Sequence, residues 1–322
     1  MSDVYQYGQD PAIPIETPPQ RIVSLVPSMT ESLFELALGN RLVGRTEYCI
    51  YPADKVTTVP TVGGTKNPDI SAIIDLKPDL VIVNQEENRK EDAEALQAAG
   101  IPVWVTFPKT VPDVFDLLWS IMNACGETAM VPKVRLLEYT YDWVFGVTED
   151  NEDMENPCKV FVPIWQDPLM TFNADTYMHN LLKDCGAINV FGDRERQFPL
   201  KAENGEADPI PADDPRLAER DTRYPRITLD EVVAAQPDVI LLPSEPYHFT
   251  ETDLPTFAAL DVPAARNNQI HLVDGSLLSW HGTRLAYALE KIPPLLCGDR
   301  TQMQPQDPDT SSQPPQPKEE GE

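Results

Sequence analysis

The sequence has few cysteines, few histidines and no long uncharged stretch. Its 322 residues include five cysteines, none with Cys-x-x-Cys spacing, and four histidines that do not pair at metal-ligand spacing. These patterns argue against a disulfide framework and against a cysteine or histidine zinc site. The longest stretch without a charged side chain is the 14 residues from Ala95 to Pro108, which include Gly100 and Pro102. No segment is therefore expected to span a bilayer as a helix.

Basic residues are also scarce. The chain carries 52 acidic and 25 basic side chains, a formal net charge of -27. Such a surface repels nucleic acid and anionic lipid, so neither is an expected partner. The sequence contains no GxxxxGK loop, no GxSxG elbow and no HExxH pair. Nothing in it therefore favours an enzyme over a binding protein, and no catalytic residue is predicted.

The first twenty residues lack the basic start and the continuous apolar stretch of a secretory signal. We therefore expect a cytoplasmic protein with five free thiols, and a periplasmic or cell-surface location is the alternative. The first and last segments are rich in proline, and the last also in acids, which is typical of chain outside a packed core.

Between these ends, strands and helices alternate. Residues 21–26 have the branched apolar composition of a buried strand, and Pro27-Ser28 forms a turn before an apolar-faced helix. Ser28 and Glu31 stand three residues apart, which suits a capping box at the start of that helix. The order of strand, helix and strand predicts an α/β fold with parallel sheets.

The same pattern occurs twice. Residues 71–83 and 230–242 each read as a short apolar helix, a Pro-Asp turn and an aliphatic strand, and the two turns lie 159 residues apart. A long helical pattern at 127–145 separates the two copies. The fold class predicted is therefore α/β, with two similar lobes that have parallel-type sheets and are joined by one long backbone helix. The predicted divisions are an extended N-terminal segment (1–20), an N-terminal lobe (21–126), a bridging helix (127–150), a C-terminal lobe (151–300) with a proline- and charge-rich excursion (193–226), and a disordered acidic tail (301–322).

Three segments carry a resemblance to a known family: RIVSLVPSMTESLFELALG, GGTKNPDISAIIDLKPDLVI and AAGIPVWV. They resemble the helical-backbone substrate-binding proteins of ABC transporters, which capture cobalamin, ferric siderophores and haem. The resemblance implies a ligand between two lobes and a surface acid on each lobe that docks to the permease. The first of these positions is Ser71 here, with Asp69 or Asp75 as possible substitutes, and the second is Asp230 or Glu231.

In open α/β sheets, ligands meet the loops beyond the carboxyl ends of the strands. Aromatic side chains in those loops suit a flat macrocycle, and a glycine lets the backbone approach it closely. The predicted ligand-binding residues are Ser28, Tyr48, Tyr51, Gly64, Thr65, Asn84, Phe107, Trp165, Trp280, His281 and Arg284. His281 is the one candidate axial ligand for the metal of a bound chelate, and a hydrogen bond within its own loop is the alternative.

The sequence thus predicts a monomer that binds a metal chelate in a pre-formed cleft without catalysis. A corrinoid is favoured over a ferric siderophore, because a ferric catecholate is anionic and the strand-end loops supply almost no basic side chain before Arg284. Three alternatives remain: a transporter receptor for a ferric siderophore or haem, a corrinoid-processing or chelatase-like enzyme that uses His281, and a sensor that signals through the acidic tail.

Overall fold

Each half of the chain folds around a four-stranded parallel sheet. The computed structural model describes residues 15–149, 157–211, 213–218 and 220–296. The N-terminal lobe has the strand order β2-β1-β3-β4, with every neighbouring pair parallel. Its elements are β1 (Ile22–Ser24), α1 (Pro27–Glu35), β2 (Leu42–Arg45), α2 (Ile70–Asp75), β3 (Leu80–Asn84), α3 (Lys90–Ala98), β4 (Val103–Thr106) and α4 (Val111–Cys125).

The C-terminal lobe repeats this plan. Its sheet has the order β10-β9-β5-β8, again with all pairs parallel, and a short antiparallel hairpin, β6-β7, stands apart from it. The elements are β5 (Cys158–Phe161), β6 (Trp165–Gln166), β7 (Leu169–Met170), α6 (Tyr177–Asp184), β8 (Ala187–Asn189), α7 (Leu229–Ala235), β9 (Val239–Pro243), α8 (Leu254–Ala258), α9 (Pro263–Arg266), β10 (Ile270–Val273), α10 (Ser276–Ser279) and α11 (Leu285–Lys291).

The two sheets have the same topology. Counted along the chain within its own lobe, each sheet has its second, first, third and fourth strand side by side. The Pro-Asp turns make equivalent hydrogen bonds in the two lobes. The backbone N–H of Asp79 donates to the carbonyl of Arg21, and that of Asp238 to the carbonyl of Lys159, at 2.9 and 2.8 Å. Each turn thereby aligns the third strand with the first, which confirms the predicted α/β fold of two similar lobes.

A long helix, α5 (Val131–Glu149), connects the lobes. It lies within the range predicted for the bridging helix, 127–150, although it begins four residues later. The helix α4 before it was not predicted. One apolar cluster runs from β1 and α1 through α4 and α5 to β5, α6 and α11 without interruption. The lobes are therefore joined by a continuous core as well as by the helix.

The predicted capping box at the start of α1 is wrong. The helix begins at Pro27 after Val26, and no side chain caps its first turn. Glu31 is buried instead and forms an ion pair with Arg284 of the other lobe. The spacing of Ser28 and Glu31 therefore reflects a contact between the lobes and not the capping of a helix.

The excursion at 193–226 contains two 3₁₀ turns, Leu200–Asn204 and Pro215–Leu217. Its last residues run antiparallel beside the β7 region, where Arg226 pairs with Met170. The predicted domain limits stay a prediction, and residues 1–14 and the acidic tail at 301–322 lie outside the described residues. Among the described residues, no helix is both long and apolar enough to cross a membrane.

The expectation of five free thiols is wrong. Cys49, Cys125 and Cys185 are buried thiols that form no disulfide. Cys158, at the start of β5, is disulfide-bonded, and its partner lies outside the described residues. Disulfides persist in oxidising compartments, so this bond argues against a reducing one.

Candidate ligand-binding site

The loops beyond the strands of both sheets meet between the lobes. The segment 281–284, a 3₁₀ turn with its preceding residue, lies directly against α1. The backbone N–H of Thr283 donates to Ser32 Oγ at 3.0 Å. A Cβ on Gly282, whose φ is +82°, would lie 2.2 Å from the same hydroxyl oxygen. We call this contact between 281–284 and α1 the interlobe seam; it requires glycine at its centre.

Arg284 forms a buried ion pair across the seam. Its guanidinium donates to Glu31 on α1 and to Asp274 after β10, each at 3.0 Å. It also donates to Ser276 Oγ and lies 4.3 Å from the centre of the Tyr51 ring. These partners occupy a side chain that was predicted to bind ligand. For Arg284 to contact a ligand carboxylate or amide, one of them would have to be released.

His281 is also held inside the seam. Ser28 Oγ lies 3.2 Å from its Nδ1, and Asn84 Nδ2 lies 3.4 Å from its Nε2. Burial lowers the pKa of His281 to about 4, so the ring is neutral at neutral pH. A neutral imidazole is the form that binds a metal. Axial ligation by His281 stays a prediction, and it would require one of these two contacts to break.

Tyr51 and Trp280 form an aromatic contact between the lobes. The two rings stand edge to face with centroids 5.8 Å apart, one from each lobe. Trp280 is only 7% exposed. Its indole therefore contributes mainly to the packing between the lobes in this structure.

The two most exposed of the predicted aromatics belong to different lobes. Tyr48 follows β2 and is 56% exposed, and Trp165, predicted in the loop after β5, is the first residue of β6 and is 43% exposed. Trp165 packs edge to face against Tyr247, which follows β9, with ring centroids 5.7 Å apart. Exposed aromatic rings at strand ends offer flat apolar area to a ligand.

The remaining predicted residues shape the N-terminal wall. A Cβ on Gly64 would lie 2.4 Å from Asn67 Oδ1 and 3.3 Å from the Tyr48 ring, so glycine there lets the loop pack against Tyr48. The carbonyl of Thr65 accepts a hydrogen bond from Asn88. Phe107, after β4, lies under two cationic groups, with Arg223 4.9 Å and Lys109 5.1 Å from its ring centre.

Two carboxyl groups in the strand-end loops were not singled out from the sequence. Burial, with the negative charges of Glu245 and Glu86, raises the pKa of Glu87 to about 8. Burial also raises the pKa of Glu245, which accepts a hydrogen bond from the Ser279 hydroxyl at 2.6 Å. Glu87 follows β3 and Glu245 follows β9, so one acid from each lobe contributes to this electrostatic interaction. The only indication in the sequence was that Glu87 and Glu245 each follow a strand.

Within the described ranges, no group of three or more histidine, cysteine, aspartate or glutamate side chains could hold a metal ion.

Comparison with known proteins gives one family and a consistent set of relatives. A sequence model of the family described as periplasmic binding protein matches residues 22–221. The vitamin B12-binding protein of Vibrio cholerae is 21% identical over 275 residues, covering 85% of this chain and 88% of the relative. That of Pectobacterium carotovorum is 22% identical over 289 residues, covering 89% and 90%.

Solved structures agree on the fold. The periplasmic vitamin B12-binding protein of Vibrio cholerae has a TM-score of 0.64 at 20% identity, covering 87% of this chain and 97% of its own. The periplasmic haem-binding protein of the same organism has a TM-score of 0.63 at 20% identity, covering 86% and 98%. That of Roseiflexus sp. RS-1 has a TM-score of 0.64 at 20% identity, covering 87% and 98%.

Proposed function

The chain belongs to the periplasmic binding protein family, and we propose that it captures a metal chelate, a corrinoid first, in the cleft between its lobes and releases it chemically unchanged. The resemblance seen in the sequence is thus confirmed at the level of the family. The relatives are named as binding proteins, which supports a role without catalysis. The single observation that carries the ligand class is the exposed aromatic side chain on each lobe, Tyr48 and Trp165.

A flat macrocycle suits that arrangement. Exposed rings on opposite lobes can cover a broad apolar ligand from two sides, and a cleft already formed by seam, helix and common core loses little entropy on binding. Affinity then comes from burial and stacking rather than from a bond between protein and metal.

Charge favours a corrinoid over the other chelates. Haem carries two propionates and a ferric catecholate is anionic, whereas a corrin ring carries neutral amide side chains. Glu87 and Glu245 offer an anion no positive charge, and either carboxyl can pair with an amide group of the corrin. The guanidinium groups of Arg223 and Arg284 already bind carboxylates within the protein. A receptor for haem is the second candidate, supported by the names of the structural relatives.

The test is a set of fluorescence titrations with cyanocobalamin, haemin and a ferric catecholate. We expect cyanocobalamin to bind with a Kd in the micromolar range or below, and at least about tenfold more tightly than either anionic chelate, a difference of about 1.4 kcal/mol. Tighter binding of haemin would replace the corrinoid by the second candidate. Binding of none of the three would contradict the proposed function.

The expected cytoplasmic location is wrong. It was inferred from twenty residues, whereas the matching family and the solved relatives are periplasmic binding proteins. We propose that this protein also works outside the cytoplasm, and the disulfide at Cys158 supports that location.

Docking to a permease is part of the same proposal. Asp230 is exposed in the first turn of α7, whereas Glu231 accepts hydrogen bonds from Thr228 and pairs with Arg194. On the first lobe, Asp69 caps α2 and accepts from Ser71, while Asp75 is exposed. We propose Asp230 and Asp75 as the docking acids. Replacing both with alanine should abolish transport while ligand affinity stays at the wild-type value; loss of ligand affinity, or transport that persists, would contradict the assignment.

A further inference from the structure

The excursion at 193–226 reaches across from the C-terminal lobe to the N-terminal lobe. Its residues Asp221–Tyr224, which we call the strap, are fastened to the C-terminal lobe by their backbone. The N–H of Asn173 donates to the carbonyl of Arg223 at 2.9 Å, and its side-chain amide donates to the carbonyl of Thr222 at 3.2 Å. The backbone of the strap is therefore bound to the C-terminal lobe.

The side chains of the strap bind the N-terminal lobe. The Arg223 guanidinium pairs with the carboxylate of Glu86 at 2.5 Å, and the Tyr224 hydroxyl donates to the same oxygen at 2.6 Å. The guanidinium also lies 4.9 Å from the centre of the Phe107 ring. Glu86 follows β3 and Phe107 follows β4, so the strap contacts the N-terminal wall of the cleft at two neighbouring strand ends.

The ion pair between Arg223 and Glu86 is partly buried and is held by further contacts. Only 13% of the Arg223 side chain is exposed, and Asp221 holds the guanidinium from a second side at 2.7 Å. A fixed, partly buried fork of this kind is more favourable than an exposed pair of flexible side chains. A further ion pair between the lobes, Lys109 with Asp175 at 2.7 Å, lies beside Phe107 and reinforces the same side.

The strap and the seam contact different parts of the N-terminal lobe. The seam contacts α1 and Asn84, whereas the strap contacts Glu86 and Phe107. Together with α5, the Lys109–Asp175 ion pair and the continuous core, they join the lobes at several places. Two bodies joined at several places cannot hinge without breaking at least one of the joints.

We propose that Arg223 and Tyr224 are positioning residues of the cleft: they hold its N-terminal wall at a fixed distance from the C-terminal lobe before ligand arrives. The role assigned to the cleft rests on the proposed function, but the fixed distance does not. It gives the excursion, otherwise an unexplained insertion between β8 and α7, a specific task in preparing the binding site.

The test measures the distance between the lobes without ligand. Spin labels at Asp75→Cys on α2 and Asp230→Cys on α7 report one lobe each, and the three free native cysteines are buried, which limits their labelling. We expect a narrow distance distribution in the otherwise wild-type protein. Arg223→Ala should widen or shift it, and Glu86→Gln, which removes the charge but keeps an acceptor for Tyr224, should widen it less.

Arg220→Ala is the matched control, because that guanidinium lies 4.7 Å from the Phe198 ring inside the excursion. It should leave the distribution unchanged. A wild-type distribution in both Arg223→Ala and Glu86→Gln would overturn the proposal. If Arg223→Ala fails to fold, Glu86→Gln alone decides.

Corrinoid binding separates this proposal from the proposed function. We expect Arg223→Ala to release cyanocobalamin about three to ten times faster than wild type, because a wider cleft contacts the ligand less closely. If wild type binds no corrinoid, the proposed function fails while the distance measurement still decides the strap. If it binds and the variant releases it at the wild-type rate, the strap does not position the cleft.

Discussion

Two tryptophans from the same lobe differ sharply in burial, and this difference predicts different effects of truncation. Trp280 is 7% exposed and lies against Tyr51 and Arg284, whereas Trp165 is 43% exposed. Trp280→Ala should lower the free energy of unfolding by about 3 kcal/mol, since it leaves a cavity in the seam. Trp165→Ala should lower it by less than about 1 kcal/mol. Denaturant unfolding of both variants checks this, and equal losses would contradict the placement of Trp280 in the packing between the lobes.

Glu87 should make stability depend on pH. Burial, and then the charges of Glu245 and Glu86, raise its pKa from 4.5 to about 8 in the folded protein. A carboxyl group with a raised pKa in the folded state stabilises the fold fully below the unfolded pKa, and this contribution is lost as pH rises through the folded pKa. The folded state therefore favours the protonated form of Glu87. As a result, the free energy of unfolding decreases as the pH rises from about 4.5 to about 8.

Glu87→Gln removes that cost. We expect the variant to melt at a higher temperature than wild type at pH 9, and the gap to shrink towards pH 5, as measured by thermal melts in matched buffers. Glu290→Gln, an exposed change on α11, is the control and should follow wild type at both values. A gap that stays constant with pH would show that Glu87 does not titrate in this range.

At the scale of elements, short sequence patterns predicted the strands and helices that they themselves form. The Pro-Asp turns at Pro78-Asp79 and Pro237-Asp238 pointed to the duplicated sheets because each turn fixes its own third strand. The helix α4 was overlooked although its signals were present. Thr110 and Asp113 form a capping box, and Gly126 ends the helix in a left-handed conformation. Those signals lie directly before the helical pattern at 127–145.

The site was less predictable, because its contacts join residues distant in sequence. Ser28 and His281 were both predicted from their strand-end positions, but nothing local indicates that they contact each other across 253 residues. The same holds for Glu31, whose spacing from Ser28 suggested a cap but whose partner is Arg284. Similarly, the pairing of Glu86 with Arg223 gave no sequence signal beyond the presence of an unexplained charged excursion.

For the whole molecule, the disulfide predicts the thiol count. Cys158 is disulfide-bonded, and Cys49, Cys125 and Cys185 form no disulfide. We expect the denatured, unreduced protein to react with a thiol reagent at three sites, and at all five after reduction. Five reactive thiols before reduction would remove the structural support for an oxidising compartment.

The central claim for the molecule is that its two lobes bind one chelate between the exposed aromatics of their strand ends. The most direct measurement is the cyanocobalamin affinity of Tyr48→Ala and Trp165→Ala beside that of Tyr139→Ala, whose ring on α5 is 65% exposed and serves as the control. Truncating an aromatic anchor at a binding site costs on the order of 2 kcal/mol. We therefore predict that each of the first two variants binds at least about tenfold more weakly than wild type while the control does not change. Wild-type affinity in both Tyr48→Ala and Trp165→Ala would contradict the claim.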